Sequence, residues 1–538
     1  MIFAVSGFTM HLLPLLAALA VMTGAGSLLA RWLQTPKLAI APRQSLSLAS
    51  ARSAWGWRYL LGVALVGILL QLPLLVDQKI THRSYLGAIA LCAAMTIAEV
   101  VLRWRERRQA LAAKQPRQGR LGWIGQLSPL PRVLVVLCLA IFAWFAMVES
   151  PITFDARAIY GRKARILYDT GDLHSEDFHD PDQLHFHPDY PLLIPLVEAT
   201  LDFVQGSQQD LGMQLLFAGF VLAIASILVE EIRRFEPPDR AAMWGAAFLL
   251  LPYSIMPNEG AGLSGSVDYA LAAFVTAGLI AAGRWLAAPH PRTAILAGLM
   301  LGAAALIKQE GTIWAVVSAG TWFVIMLSQR IRPLLPRFLA AAGMLGAAFG
   351  CVLIALVNRR GISPSPYMRT FSEAMHWEWI VQTLTRLPFI AKFAAKELVS
   401  TKTFEFVVPF VAAALLLLSR SRPPATVVFW RAVVLLIALV YLAILMITPL
   451  HLEYQLRTAF SRLTVHILPL FLLIGAEQLA ASGWSRQLQW IFTGKSSDPA
   501  PSVHIEHSDD QAGGEQTEAT PPLAPPLPNQ RKSIRRAA

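Results

Sequence analysis

A chain of 538 residues that is 55% hydrophobic and only 15% charged, with a mean hydropathy of +0.50, does not read as a soluble multidomain protein. Its net charge of +12 would suit nucleic acid, but the basic residues sit in short connections beside apolar runs, where they act as topology signals and meet anionic lipid headgroups. Cys92, Cys138 and Cys351 all fall inside apolar runs, which argues against a disulfide framework or a cysteine metal site.

A spanning helix needs about 20 mainly apolar residues. Runs of that kind cover 11–30, 59–76, 85–102 and 133–148 in the first part of the chain. They continue at 211–229, 241–256, 267–285, 293–307, 312–327, 338–357, 406–418, 427–447 and 463–479. The sequence thus predicts an all-α polytopic membrane protein of about thirteen transmembrane helices. The first run lacks a basic stretch ahead of it and is followed by Arg31, so it reads as a retained helix rather than a cleaved signal. Three units are expected: an N-terminal three-helix segment 1–132, a membrane core 133–482, and a tail 483–538. The tail is rich in Pro, Ser, Gln and acids and reads as disordered.

Lys and Arg concentrate in 31–58, 103–132, 233–240, 284–292, 330–337 and 420–431. With thirteen spans all six connections fall on one side, which the positive-inside rule makes the cytoplasm, together with the tail. The N-terminus, the long connection 149–207 and the stretches 358–405 and 448–462 then face outward. No internal repeat is present, which weighs against transporters built from duplicated halves.

The connection 149–207 stands apart in composition. It holds Asp169, Asp172, Glu176, Asp177, Asp180, Asp182 and Asp189 with His174, His179, His185 and His187. Membrane chains carry such clusters where water, a substrate or an ion meets them. Residues 190–203 are patterned as a short amphipathic helix on the membrane surface, after the punctuation of Pro188 and Pro191. The histidine spacing matches no closed metal site, so no metal is assigned, although a divalent ion there stays open.

Asp155 follows a span almost at once and is placed to act as a general base at the membrane boundary; the alternative is a helix cap paired with Arg157 or Lys163. Asp268 opens an apolar run at its outer end, where an acid favours a helix N-terminus. The turn Lys308-Gln309-Glu310-Gly311 sets a lysine where it can meet a phosphate or snorkel beside a solvated glutamate. Arg457 and Arg462 run against the charge trend on the outer side and ask for an anionic partner. Glu198 and Asp202, four apart on one helix face, repel unless solvated or bound, and Glu99 inside the third span reads as a helix–helix contact.

Taken in order, the outward Asp155, the run His187-Pro188-Asp189-Tyr190-Pro191-Leu192-Leu193, Asp268 at a helix head, the Lys308–Gly311 turn, and Arg457 with Arg462 before the last span form a recognisable series. Over about 133–479 the chain resembles the GT-C superfamily of integral-membrane glycosyltransferases, in the branch that groups protein O-mannosyltransferases with the aminoarabinose transferase of lipid A. The resemblance implies a GT-C-like fold whose large first outer loop carries short juxtamembrane helices. It implies a polyprenyl-phosphate-linked sugar as donor and inverting transfer to a lipid, glycan or protein acceptor on the outer face of a bacterial inner membrane. It also implies Asp155 as base, Lys308 with Arg457 or Arg462 for the lipid phosphate, and Asp268, Glu310, His187, Asp189 and Tyr190 as further substrate contacts.

Two departures accompany it. Many protein O-mannosyltransferases carry adjacent acids in the first loop, whereas Asp155 is followed by Ala156, and three spans precede the core. The rival expectations are a lipid or glycan transporter or flippase, with ionisable groups near mid-helix and broken helices, and an outward-facing glycan ligase built on a large late outer loop. No nucleotide fingerprint is present, and no nucleic-acid partner is expected.

Overall fold

The computed structural model describes residues 2–33, 54–112, 125, 127–148, 152–179, 187–208, 210–251, 254, 261–328, 334–360, 362, 381, 383–398, 423–448 and 451–482. The chain divides into two compact units, Met1–Ser485 and Arg486–Ala538, and the second lies outside the described residues, as does the expected disordered tail. The described residues are helical throughout, with no strand among them.

The first four helices are α1 (Ile2–Leu33), α2 (Trp55–Leu74), α3 (His82–Ala112) and α4 (Pro129–Val148). A connecting region follows with a π-helical turn (Ala156–Gly161), α5 (Arg162–Asp169), α6 (Glu176–His179) and α7 (Leu193–Gln205). Then come α8 (Asp210–Ile232), α9 (Pro238–Leu249), α10 (Val267–Ala287), α11 (Pro291–Ala305) and α12 (Gln309–Ser328). The series ends with α13 (Leu334–Val357), α14 (Leu387–Leu398), α15 (Ala425–Ile447) and α16 (Leu452–Ala481).

Among the described residues, ten helices are long and apolar enough to cross a membrane, the architecture of a multi-pass membrane protein. The difference from thirteen has local causes. The run at 241–256 forms only the 12 residues of α9, and the run at 293–307 only the 15 of α11, while 406–418 lies outside the described residues. At the other extreme, α16 starts at Leu452, so it takes in most of the stretch expected as an outer connection.

Which faces meet lipid follows from what the helices leave uncovered. Leu13, Ile97, Leu130, Val316, Phe338 and Leu435 are all exposed, as they must be on a rim with no aqueous neighbour. α10 is the opposite case: 89% of its apolar window is buried, and it packs against α8, α11, α12, α15 and α16. Small residues set these distances. A side chain at Gly298 of α11 would strike the backbone of Met344 on α13, so the two helices touch through their main chains.

The expected surface helix at 190–203 is instead the buried α7. Every residue from Leu193 to Asp202 is buried, because α5 covers one face and α1, α2 and α8 cover the others. The N-terminal helices are the physical reason: an amphipathic stretch lies on a membrane only when no protein covers its second side.

Candidate active site

The site is assembled from four separated pieces of chain, and α10 supplies its floor. The backbone at Gly265 has φ +79, which glycine adopts without strain, and it turns the chain into the first turn of α10. A side chain there would also press on Ala156 and Met213. This close approach lets the Thr153 amide donate to the Ser264 carbonyl at 3.1 Å, fixing the segment that bears Asp155 against the one that bears Asp268. Asp155 itself leads into the π-helical turn, a geometry that is rare and concentrated at functional sites.

Asp268 is fully buried and takes four donors. Lys308 Nζ and His466 Nε2 reach Oδ1 at 2.9 Å each, while Arg462 Nε at 2.8 Å and Ser266 Oγ at 2.6 Å reach Oδ2. Arg462 bridges onward, its Nη1 donating to Asp155 Oδ2 at 2.6 Å, and Lys308 also pairs with Glu310 at 3.1 Å. Three carboxylates thus face two permanent cations. Burial alone would pull the Lys308 ammonium down, but Asp268 and Glu310 outweigh it and hold the group above its ordinary range.

Behind Asp268 the hydrogen-bond roles close in one way. Indole nitrogen only donates, so Trp314 Nε1 gives to Tyr441 Oη at 2.7 Å. Tyr441 then donates to His466 Nδ1 at 2.7 Å, which leaves the proton of His466 on Nε2, directed at the Asp268 carboxylate. The chain fixes the tautomer and orientation of a histidine that is itself fully buried.

The run 187–193 forms the adjoining wall. The Leu193 amide donates to the Leu306 carbonyl at 2.9 Å, seating this run on the turn that carries Lys308. Gln309 Nε2 donates to Asp189 Oδ2 at 2.6 Å, and the His187 and Tyr190 rings stack with centroids 4.6 Å apart. Lys163 is fully buried, donating to the carbonyls of His187 at 2.5 Å and Tyr190 at 3.2 Å. Burial pulls its ammonium down to about 7, with Asp189 opposing the shift.

The structure therefore brings together Asp155, Asp268, Lys308, Glu310 and Arg462. His187, Asp189 and Tyr190 line the next wall, tied to the same turn through Gln309. Arg457 does not join them; it is exposed and pairs with Glu453 one turn back at 2.5 Å. The cap alternative for Asp155 is also replaced: its side chain makes no cap bond, Arg157 pairs with Asp210 at 2.6 Å, and Lys163 is spent on carbonyls. Among the described residues no group of three His, Cys, Asp or Glu is arranged to hold a metal. His174 faces Asp77 at 3.5 Å, the side chain of His179 is outside the described set, and so is His185.

His466, Tyr441, Trp314, Ser266 and Gln309 escaped the sequence reading. One signal was available, since a histidine inside an apolar run is costly unless it is paired. Arg359, just past α13, was missed as well; its Nε and Nη2 are buried with no hydrogen-bond partner among the described residues. The buried Tyr160 hydroxyl and His187 Nδ1 are in the same condition.

No protein-family model, no curated protein and no solved structure matches this chain.

Proposed function

We propose that this protein is a membrane glycosyltransferase of the GT-C type, moving a sugar from a polyprenyl-phosphate donor to an acceptor hydroxyl or amine at the outer face of a bacterial inner membrane. The observation that carries the reading is the Asp155–Arg462–Asp268–Lys308 cluster, drawn from helix ends far apart in sequence and bordered by polar atoms still lacking partners. In the proposed step Arg462 holds Asp155 Oδ2, and Oδ1 takes the acceptor proton as the acceptor attacks the anomeric carbon. The bond from that carbon to the phosphate oxygen breaks, and the lipid phosphate leaves with the electron pair.

Charge places the phosphate differently from the sequence expectation. Lys308 and Arg462 already answer to Asp268, Glu310 and Asp155, so a further anion against them meets excess negative charge. Arg359 has two donor nitrogens to spare, which makes it the better phosphate contact.

The transporter reading keeps one observation in its favour: His466 lies in the middle of the 30-residue α16. The relay behind it nevertheless ends at an indole, which donates and cannot accept, so no proton passes beyond Trp314. The ligase alternative rests on 358–405, much of which lies outside the described residues.

The test is consumption of a polyprenyl-phosphate sugar by purified protein in lipid. Asp155→Asn should lower turnover by about 10²–10⁴-fold at saturating donor with the fold intact. Arg359→Ala should weaken donor binding instead. Near-normal turnover of Asp155→Asn in the folded fraction would remove the base from the mechanism, and no donor consumption by the wild type with any polyprenyl-phosphate sugar would remove the function.

A further inference from the structure

A groove of about 490 Å³ runs between α1, α2, α3 and α8, away from the cluster around Asp268. That volume lies within the ordinary range for ligand sites. The groove changes character along its length. Leu16, Leu19, Leu215 and Leu222 make one part apolar, and Arg58 and Arg103 stand at the other. The polar part lies where α1 ends and α2 begins, beside the basic connection 31–58.

Charge at that end is unbalanced. Glu99 is buried between Arg31 at 2.9 Å and Arg103 at 2.6 Å, so the third span does make the helix contact its sequence implied. Arg31 also reaches the exposed Glu106. With Arg58 in the same wall, three arginines face two carboxylates. Trp55, exposed and stacked on Tyr59 at 5.0 Å, adds an aromatic ring of the kind that settles at a membrane interface.

We propose that this groove binds one anionic glycerophospholipid, from the leaflet on the Arg58 side, with its phosphate at Arg58 and an acyl chain along Leu16 and Leu215. Two features select this occupant. A free phosphate would leave the apolar length unfilled, and a zwitterionic lipid would bring a second positive charge toward three arginines. The site gives the three N-terminal helices a role separate from the proposed transfer reaction. They form a lipid seat whose back wall, α2, also packs on α7.

The test is native mass spectrometry of the full chain released from nanodiscs of mixed phosphatidylglycerol and phosphatidylcholine. Wild type should retain phosphatidylglycerol over phosphatidylcholine by about fivefold, the effect of one basic contact near a membrane surface. Arg58→Ala should erase the preference and Arg58→Lys keep most of it. Ala20→Trp, which fills the groove from α1, should lose both lipids while the protein stays folded. Equal retention of the two lipids by the wild type, or an undiminished preference in Arg58→Ala, would overturn the proposal. So would cross-linking of the groove to residues 34–53 with no lipid retained, which would give the groove to the chain itself.

Discussion

The two ends of α10 both carry a buried ion network, and they differ in how completely each is satisfied. Asp268 and Arg284 are 16 residues apart, about 24 Å along the helix. At the far end Arg284 donates to Glu231 at 2.8 Å and to Glu230 at 2.7 Å, Arg234 adds a contact to Glu231 at 3.3 Å, and Glu230 accepts from the Ala54 amide at 2.5 Å. This network clamps α10, α8 and the start of α2. At the near end the network around Asp268 is as tight within itself, yet it is bordered by Tyr160, His187 and Arg359 atoms that lack partners. A closed network holds helices together, whereas one surrounded by unused donors has been left room for something else.

Four changes would break or sharpen that contrast. The largest effect is expected for Asp268→Ala, which leaves Lys308 and Arg462 buried together without their shared acid. Breaking a buried pair costs about 3–5 kcal/mol, so the melting temperature should fall and turnover should vanish with it. Arg284→Leu strips Glu230 and Glu231 of a cation in a partly exposed network, so the loss should stay near about 3 kcal/mol. Turnover per folded molecule should be unchanged in that variant. A fall in turnover comparable to that of Asp268→Ala would erase the distinction between the two ends.

Tyr441→Phe is smaller. It leaves Trp314 Nε1 and His466 Nδ1 without a partner at a cost of about 1–3 kcal/mol, and freeing the His466 tautomer should alter the pH profile of turnover. A profile identical to wild type would reduce the relay to packing.

The smallest effect concerns Asp202, buried on α7 beside Glu198. Burial pushes its carboxyl from 3.8 up to about 7, with Arg165 opposing and Asp210 and Asp169 reinforcing the shift. Glu198 is raised as well, by burial first and by Asp202 second. The folded state therefore holds a proton that the unfolded state has released, and stability present below about 4 is lost as pH rises toward 7. Melting curves of Asp202→Asn should lose part of that slope, and an unchanged slope would show that Asp202 does not titrate in this window.

The sequence by itself determined the class of fold and most of the cluster. Apolar length and Lys/Arg placement depend only on local composition, so α1–α4, α8, α10, α12, α13 and α15 fall where the runs do. Asp155, Asp268, Lys308 and Arg462 were each visible because a charge at the end of an apolar run is locally anomalous. Tertiary structure decided the rest. Arg457 and Arg462 look alike as residues, but five positions along a helix turn them to different faces, one to solvent and one to Asp268. An amphipathic stretch became the buried α7 because helices more than a hundred residues earlier cover its second face. The Trp314–Tyr441–His466 chain joins three helices whose residues carry no pairing signal in one dimension, since partners for buried polar atoms are chosen only when the helices pack.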